Sequence, residues 1–197
     1  MLRVWPANNA VRHHARHWPC CFSHLLLVEG FTHTRDRCAY GLRLGIFAVV
    51  SEFAWNYLKA GRPIADVGHN VFFTLLLGYL GLCALQGFEQ AAIPRTAIRP
   101  AVALTLLCLV SWLFKSDYGI KGFGCILLLY LLRGRVLESA VLTSALLGRP
   151  QFILPAFMPV CLYNGKRRFV RGRALQLVFY ALYPVHMVVL RLIFNAS

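Results

Sequence analysis

The stretch Tyr40-Gly-Leu-Arg-Leu-Gly-Ile-Phe-Ala-Val-Val-Ser-Glu-Phe-Ala-Trp-Asn-Tyr-Leu58 decides the fold. It is apolar over nearly its whole length and is long enough for one helical crossing of a bilayer, which takes about 20 predominantly apolar residues. The chain repeats the theme. Further apolar runs cover Val71 to Leu85, Pro100 to Phe114, Tyr118 to Leu132 and Ala174 to Phe194. The stretch from Val136 to Cys161 is interrupted by Gly148-Arg149-Pro150, which reads either as one kinked helix or as two short ones. A shorter run, Trp18 to Gly30, spans only by recruiting neighbours such as Phe31. The pattern predicts an all-α, polytopic transmembrane helix bundle of about six to eight spans over residues 18–197. A poorly structured basic extension over residues 1–17 precedes it, with Arg3, Arg12, Arg16 and three histidines but no hydrophobic core of a signal peptide.

Composition points the same way. Hydrophobic residues make up 58% of the 197 positions and charged residues 14%, where a soluble domain carries about 25%. The net charge of +14 comes from 21 Lys and Arg against 7 Asp and Glu. These basic residues fall in short connections between apolar runs, where positive charge retains loops on the cytoplasmic side of a membrane. Lys166, Arg167, Arg168, Arg171 and Arg173 form the strongest cluster and should be cytoplasmic. With no nucleic-acid-binding motif beside them, the expected partner is the lipid bilayer and not a nucleic acid. The seven cysteines form no Cys-x-x-Cys pair and mostly lie within apolar runs. They read as small buried hydrophobes, with no metal site expected.

Ionisable groups within hydrocarbon are expensive, roughly 2.5–3.5 kcal/mol for a central charge on insertion scales, and therefore mark candidate sites. Glu52 lies near the middle of its run, and His186 lies within Tyr183-Pro184-Val185-His186 of the last. Histidine is the side chain best suited to move a proton near neutral pH, and beside a carboxylate it can serve as general base. It can equally hold the bundle together by hydrogen bonding to a neighbouring helix. Pro184 frees a backbone carbonyl one turn earlier, as happens where a helix lines a cavity. Other polar residues mark the ends of runs: Glu29, Asn70, Asp117, Tyr118 and Asn164. Each reads singly as an interfacial cap or turn.

Together these ends form a recognisable series. Leu26-Leu27-Val28-Glu29-Gly30-Phe31 with His33-Thr34-Arg35, Ser51-Glu52, Asn70 to Gly78, Asp117-Tyr118-Gly119, Leu162 to Lys166 and Tyr183 to His186 occur in an order and spacing that resemble the TraX family. The likeness covers roughly residues 25 to 194. It implies a multi-pass protein of the bacterial cytoplasmic membrane, similar to membrane acyltransferases that take an acetyl or other acyl group from acyl-CoA. The implied acceptor is an amine or hydroxyl, with pilin among the candidates. On that reading His186 and Glu52 are the catalytic pair, with Glu29 a second carboxylate able to orient the histidine. Asn70, Asp117, Tyr118, Asn164 and Tyr183 line the pocket, and Lys166, Arg167 and Arg168 hold the phosphates of the acyl-CoA co-substrate. The family pattern also places an Asp-His pair in an earlier span, and none occurs in residues 1–30. The expectation is a chain whose first span is missing, through truncation or a shifted frame, with an inactive protein as one outcome. A small transporter or channel subunit using Glu52 and His186 as a proton relay, or a non-catalytic assembly protein, stays open beside the enzyme.

Overall fold

The computed structural model describes residues 23–65, 68–91, 94–113, 118–148, 157, 181–189 and 191–192. The elements among the described residues are helices: α1 (residues 23–33), α2 (Arg37–Ala60), α3 (Val71–Glu89), α4 (Pro94–Leu113), α5 (Gly119–Leu131), α6 (Val136–Leu147) and α7 (residues 181–189). The basic extension over residues 1–17 lies outside the described residues.

Local chemistry sets the boundaries. Asp36 caps α2 by accepting from the Ala39 amide at 2.9 Å, and Asn70 caps α3 by accepting from the Phe72 amide at 2.8 Å. Gly61 ends α2 at φ 70°, its amide donating to the Tyr57 carbonyl at 3.0 Å, a left-handed cap that favours glycine. Gly148 ends α6 in the same way at φ 70°. α6 therefore stops before Arg149-Pro150; the rest of the interrupted run, apart from residue 157, lies outside the described residues. One expected boundary moves. Pro94, not Pro100, opens α4, and Pro100 lies inside it; Pro94 takes the first-turn place where a missing amide costs least.

α3 sits at the centre, packed against α2, α4 and α5, while α6 packs on α5. α2 and α3 run antiparallel: the Tyr79 hydroxyl donates to the Arg37 carbonyl at 2.7 Å near the start of α2, and Asn70 reaches Ala48 further along it. α3 and α5 run parallel, since Gly122 lies against Thr74 and Gly78 against Ile126. A methyl group at Gly78 would collide with the Ile126 side chain. Small residues allow this close approach between helices that no aqueous hydrophobic drive holds together. Leu27, Val28 and Phe31 of α1 complete the core, with Phe31 set edge-on to Tyr79 and Tyr130.

The outward surface is apolar. Leu42, Ile46, Val49, Val50 and Phe53 of α2 and Val102, Leu106 and Leu109 of α4 are all exposed. α2 and α3 are long and apolar enough to cross a membrane, and only 33% and 39% of their apolar windows are buried. The core helix of a soluble protein would bury most of that surface. α5, α6 and the apolar part of α4, Ala97–Leu113, are shorter. Charged contacts gather at the helix ends: Arg133 with Glu89 and Arg135 with Glu138 at one end, Lys59 over Trp55 and Arg191 at the Leu58 carbonyl at the other. Apolar sides with charged ends suit a lipid phase.

Candidate functional site

The turn after α2 folds its chain back along the inner face of that helix. The Trp55 indole Nε1 donates to the Gly68 carbonyl at 2.8 Å and pins the returning strand of chain. This fixes the next two residues, His69 and Asn70, against Glu52. Glu52 Oε1 lies 3.0 Å from His69 Nδ1, and Oε2 accepts from the Asn70 amide at 3.1 Å and from its Nδ2 at 2.7 Å. Asn70 Nδ2 also donates to the Ala48 carbonyl at 2.9 Å. Both carboxylate oxygens accept, so the ring proton of His69 belongs on Nδ1 and the lone pair on Nε2. Asn70 is completely buried, whereas the side chains of Glu52 and His69 keep 20% and 39% of their accessibility. The His69 ring leans on Phe73 at 5.2 Å.

Chemically this is a carboxylate-oriented imidazole at the edge of an apolar bundle. Its carboxylate is held on the far side by a buried amide. Such an arrangement can take a proton at Nε2 and return it, with the carboxylate fixing tautomer and ring direction. Nearby on α2, Ser51 Oγ and Asn56 Oδ1 are buried without a hydrogen-bond partner among the described residues. Buried polar atoms of this kind call for an explanation.

Of the residues marked from the sequence, Glu52 and Asn70 come together. Glu52 pairs with His69 rather than His186. His186 is exposed on α7, its Nδ1 3.1 Å from the Leu182 carbonyl and its ring against Tyr183 at 5.5 Å. Tyr183 in turn stands edge-on to Phe72 at 5.1 Å, and Met187 packs with Ala54 and Trp55. α7 therefore runs alongside the Glu52–His69 pair without supplying its imidazole. Glu29 sits at the far end, paired with His33 at 3.4 Å where Gly30 meets Tyr40. From Tyr40 to Glu52 is roughly 18 Å at about 1.5 Å per residue. Tyr118 precedes α5 and sets its ring edge-on to His24 at 5.9 Å. Asp117, Asn164, Lys166, Arg167 and Arg168 lie outside the described residues.

His69 escaped the sequence reading because it stands in the breaker-rich connection after α2 and not inside an apolar run, where an ionisable group is costly. The available signal was its place next to Asn70, a helix-capping residue type opening the following run. His24 escaped as well; it is fully buried, and Gly122 leaves room where Thr74, Tyr118 and His24 converge. Among the described residues no three His, Cys, Asp or Glu side chains converge to hold a metal.

The family model described as TraX protein matches residues 20–194. No curated protein and no solved structure matches the chain.

Proposed function

The chain belongs to the TraX family, and from that premise we propose that it is a membrane acyltransferase moving an acetyl or other acyl group from acyl-CoA to an amine or hydroxyl. The supporting observation is the Glu52–His69 pair, in which a buried amide steadies the carboxylate and the carboxylate orients the imidazole. His69 Nε2 removes the proton of the acceptor as its nitrogen or oxygen attacks the thioester carbonyl. The tetrahedral intermediate collapses with cleavage of the carbon–sulfur bond. The imidazolium returns the proton to the departing thiolate, so the base is regenerated. His69 takes the role that the sequence reading gave to His186, and Tyr183 and His186 flank the site from α7. The basic residues Lys166, Arg167 and Arg168 are suited to the phosphates of the acyl donor. A multi-pass bundle of six to eight spans in the bacterial cytoplasmic membrane fits the exposed apolar faces, and the family link makes pilin one acceptor to try.

The test uses purified protein in lipid vesicles with labelled acetyl-CoA and a panel of acceptors: a pilin amino-terminal peptide, amino sugars and alcohols. Transfer should occur, fall by about 10²- to 10⁴-fold in His69→Ala, and change less than about tenfold in His186→Ala. Absence of transfer to every acceptor, or full transfer by His69→Ala, would overturn the proposal. Proton flux without transfer would favour a transporter.

A further inference from the structure

We infer that Asn70 is a positioning residue for the Glu52 carboxylate and does not contact substrate. The inference rests on the catalytic reading of the Glu52–His69 pair. The hydrogen-bond inventory of its side chain carries it. A primary amide offers two donors and one carbonyl oxygen. In Asn70 both donors are directed inward, to Ala48 O at 2.9 Å and Glu52 Oε2 at 2.7 Å, while the oxygen accepts from Phe72 N at 2.8 Å. The residue is completely buried, so no polar atom of its side chain faces outward toward an acceptor or an acyl donor.

The three bonds tie together parts of the molecule that sequence separates. Oδ1 starts α3, Nδ2 grips the backbone of α2 at Ala48, and the same Nδ2 with the Asn70 amide clamps one oxygen of Glu52. The other oxygen is thereby aimed at His69 Nδ1. The start of α3, its attachment to α2 at Ala48 and the direction of the imidazole all involve one amide. Charged and titratable neighbours are engaged elsewhere: Lys59 lies over Trp55, Arg191 at the Leu58 carbonyl and His186 at the Leu182 carbonyl. Among the described residues, His69 and Asn70 are the ones hydrogen-bonded to the Glu52 carboxylate.

Two variants separate positioning from structure. Asn70→Ser keeps an oxygen able to cap α3 but loses both Nδ2 bonds. Asn70→Asp also keeps the cap but exchanges the Nδ2 donor for an oxygen that repels the Glu52 carboxylate. In the vesicle assay, Asn70→Ser should lower kcat by about 10- to 100-fold, the range expected for a reacting group displaced by about 1 Å. Both KM values should stay within about twofold of wild type, since no substrate contact is lost. Asn70→Asp should lower kcat at least as far as Asn70→Ser, because it repels the carboxylate that Nδ2 holds.

Nitrogen NMR of the His69 ring supplies a readout independent of turnover. Wild type should show the Nδ1-protonated form alone, and Asn70→Ser a mixture of tautomers. A kcat equal to wild type in folded Asn70→Ser overturns the inference. So does a raised acceptor KM with unchanged kcat, which would put Asn70 on the substrate. A kcat in folded Asn70→Asp equal to wild type, or an unchanged tautomer in Asn70→Ser, also refutes it. If wild type transfers nothing while the tautomer still depends on Asn70, the acyl-transfer reading falls and the positioning role survives.

Discussion

Replacing Glu52 by glutamine should leave the fold nearly intact while sharply slowing proton transfer, and replacing it by alanine should damage both. In Glu52→Gln the side-chain carbonyl can still accept from the Asn70 amide and Nδ2, which now lie 3.1 and 2.7 Å from Oε2. The new amide group takes the place of Oε1, 3.0 Å from His69 Nδ1. An amide nitrogen can only donate there, so Nδ1 must become the acceptor and the ring proton moves to Nε2. The number of hydrogen bonds is preserved, and stability should fall by less than about 1 kcal/mol. The base is lost, because its lone pair now faces the glutamine. The same reversal in a serine-protease triad costs about 10⁴ in kcat, and about 10²- to 10⁴-fold is expected here. Glu52→Ala removes the acceptor altogether. The Asn70 amide becomes a buried donor without a partner at about 1–3 kcal/mol, and Nδ2 keeps only Ala48 at a further cost of about 1 kcal/mol. The half-exposed His69 contact adds little after solvent screening. The sum is about 2–4 kcal/mol. Thermal or denaturant unfolding in one detergent, beside labelled acetyl transfer, measures both halves. Equal stability of the two variants would refute the hydrogen-bond reasoning, and wild-type turnover by Glu52→Gln would refute the tautomer reasoning.

Two further outcomes follow from the packing. Trp55→Phe deletes the bond to the Gly68 carbonyl and should cost about 0.5–1.5 kcal/mol, with faster amide exchange over residues 61–65 and lower kcat as the His69 connection loosens. Exchange unchanged from wild type would show that the indole does not pin the turn. Gly78→Ala should destabilise by about 1–3 kcal/mol through overpacking against Ile126. Ile126→Ala should relieve that collision, so the double variant should be more stable than the sum of the single effects by about 1 kcal/mol or more. Additive unfolding energies would place the α3–α5 contact elsewhere.

The sequence by itself determined that the chain is helical and built for lipid. Apolar run length, scarcity of charge and the position of basic residues are local or summed properties, and none of the three depends on which helix meets which. It also determined four helix ends, because Asp36, Asn70, Gly61 and Gly148 act on backbone groups a few residues away. The ordered motifs that resembled the TraX family reached the match over residues 20–194. Glu52 was legible as a carboxylate buried at a cost. Its partner was not. His69 stands 17 positions later in a connection, and only the reversal at Gly61, the Trp55–Gly68 bond and the seat of Asn70 on Ala48 bring its ring onto the carboxylate. His186 shared every local feature of a catalytic histidine, yet the face of a helix that a residue presents is set by packing, and Met187 took the inward place beside Trp55. Residue type and spacing fix what a side chain can do; tertiary contacts fix which other side chain it does it with.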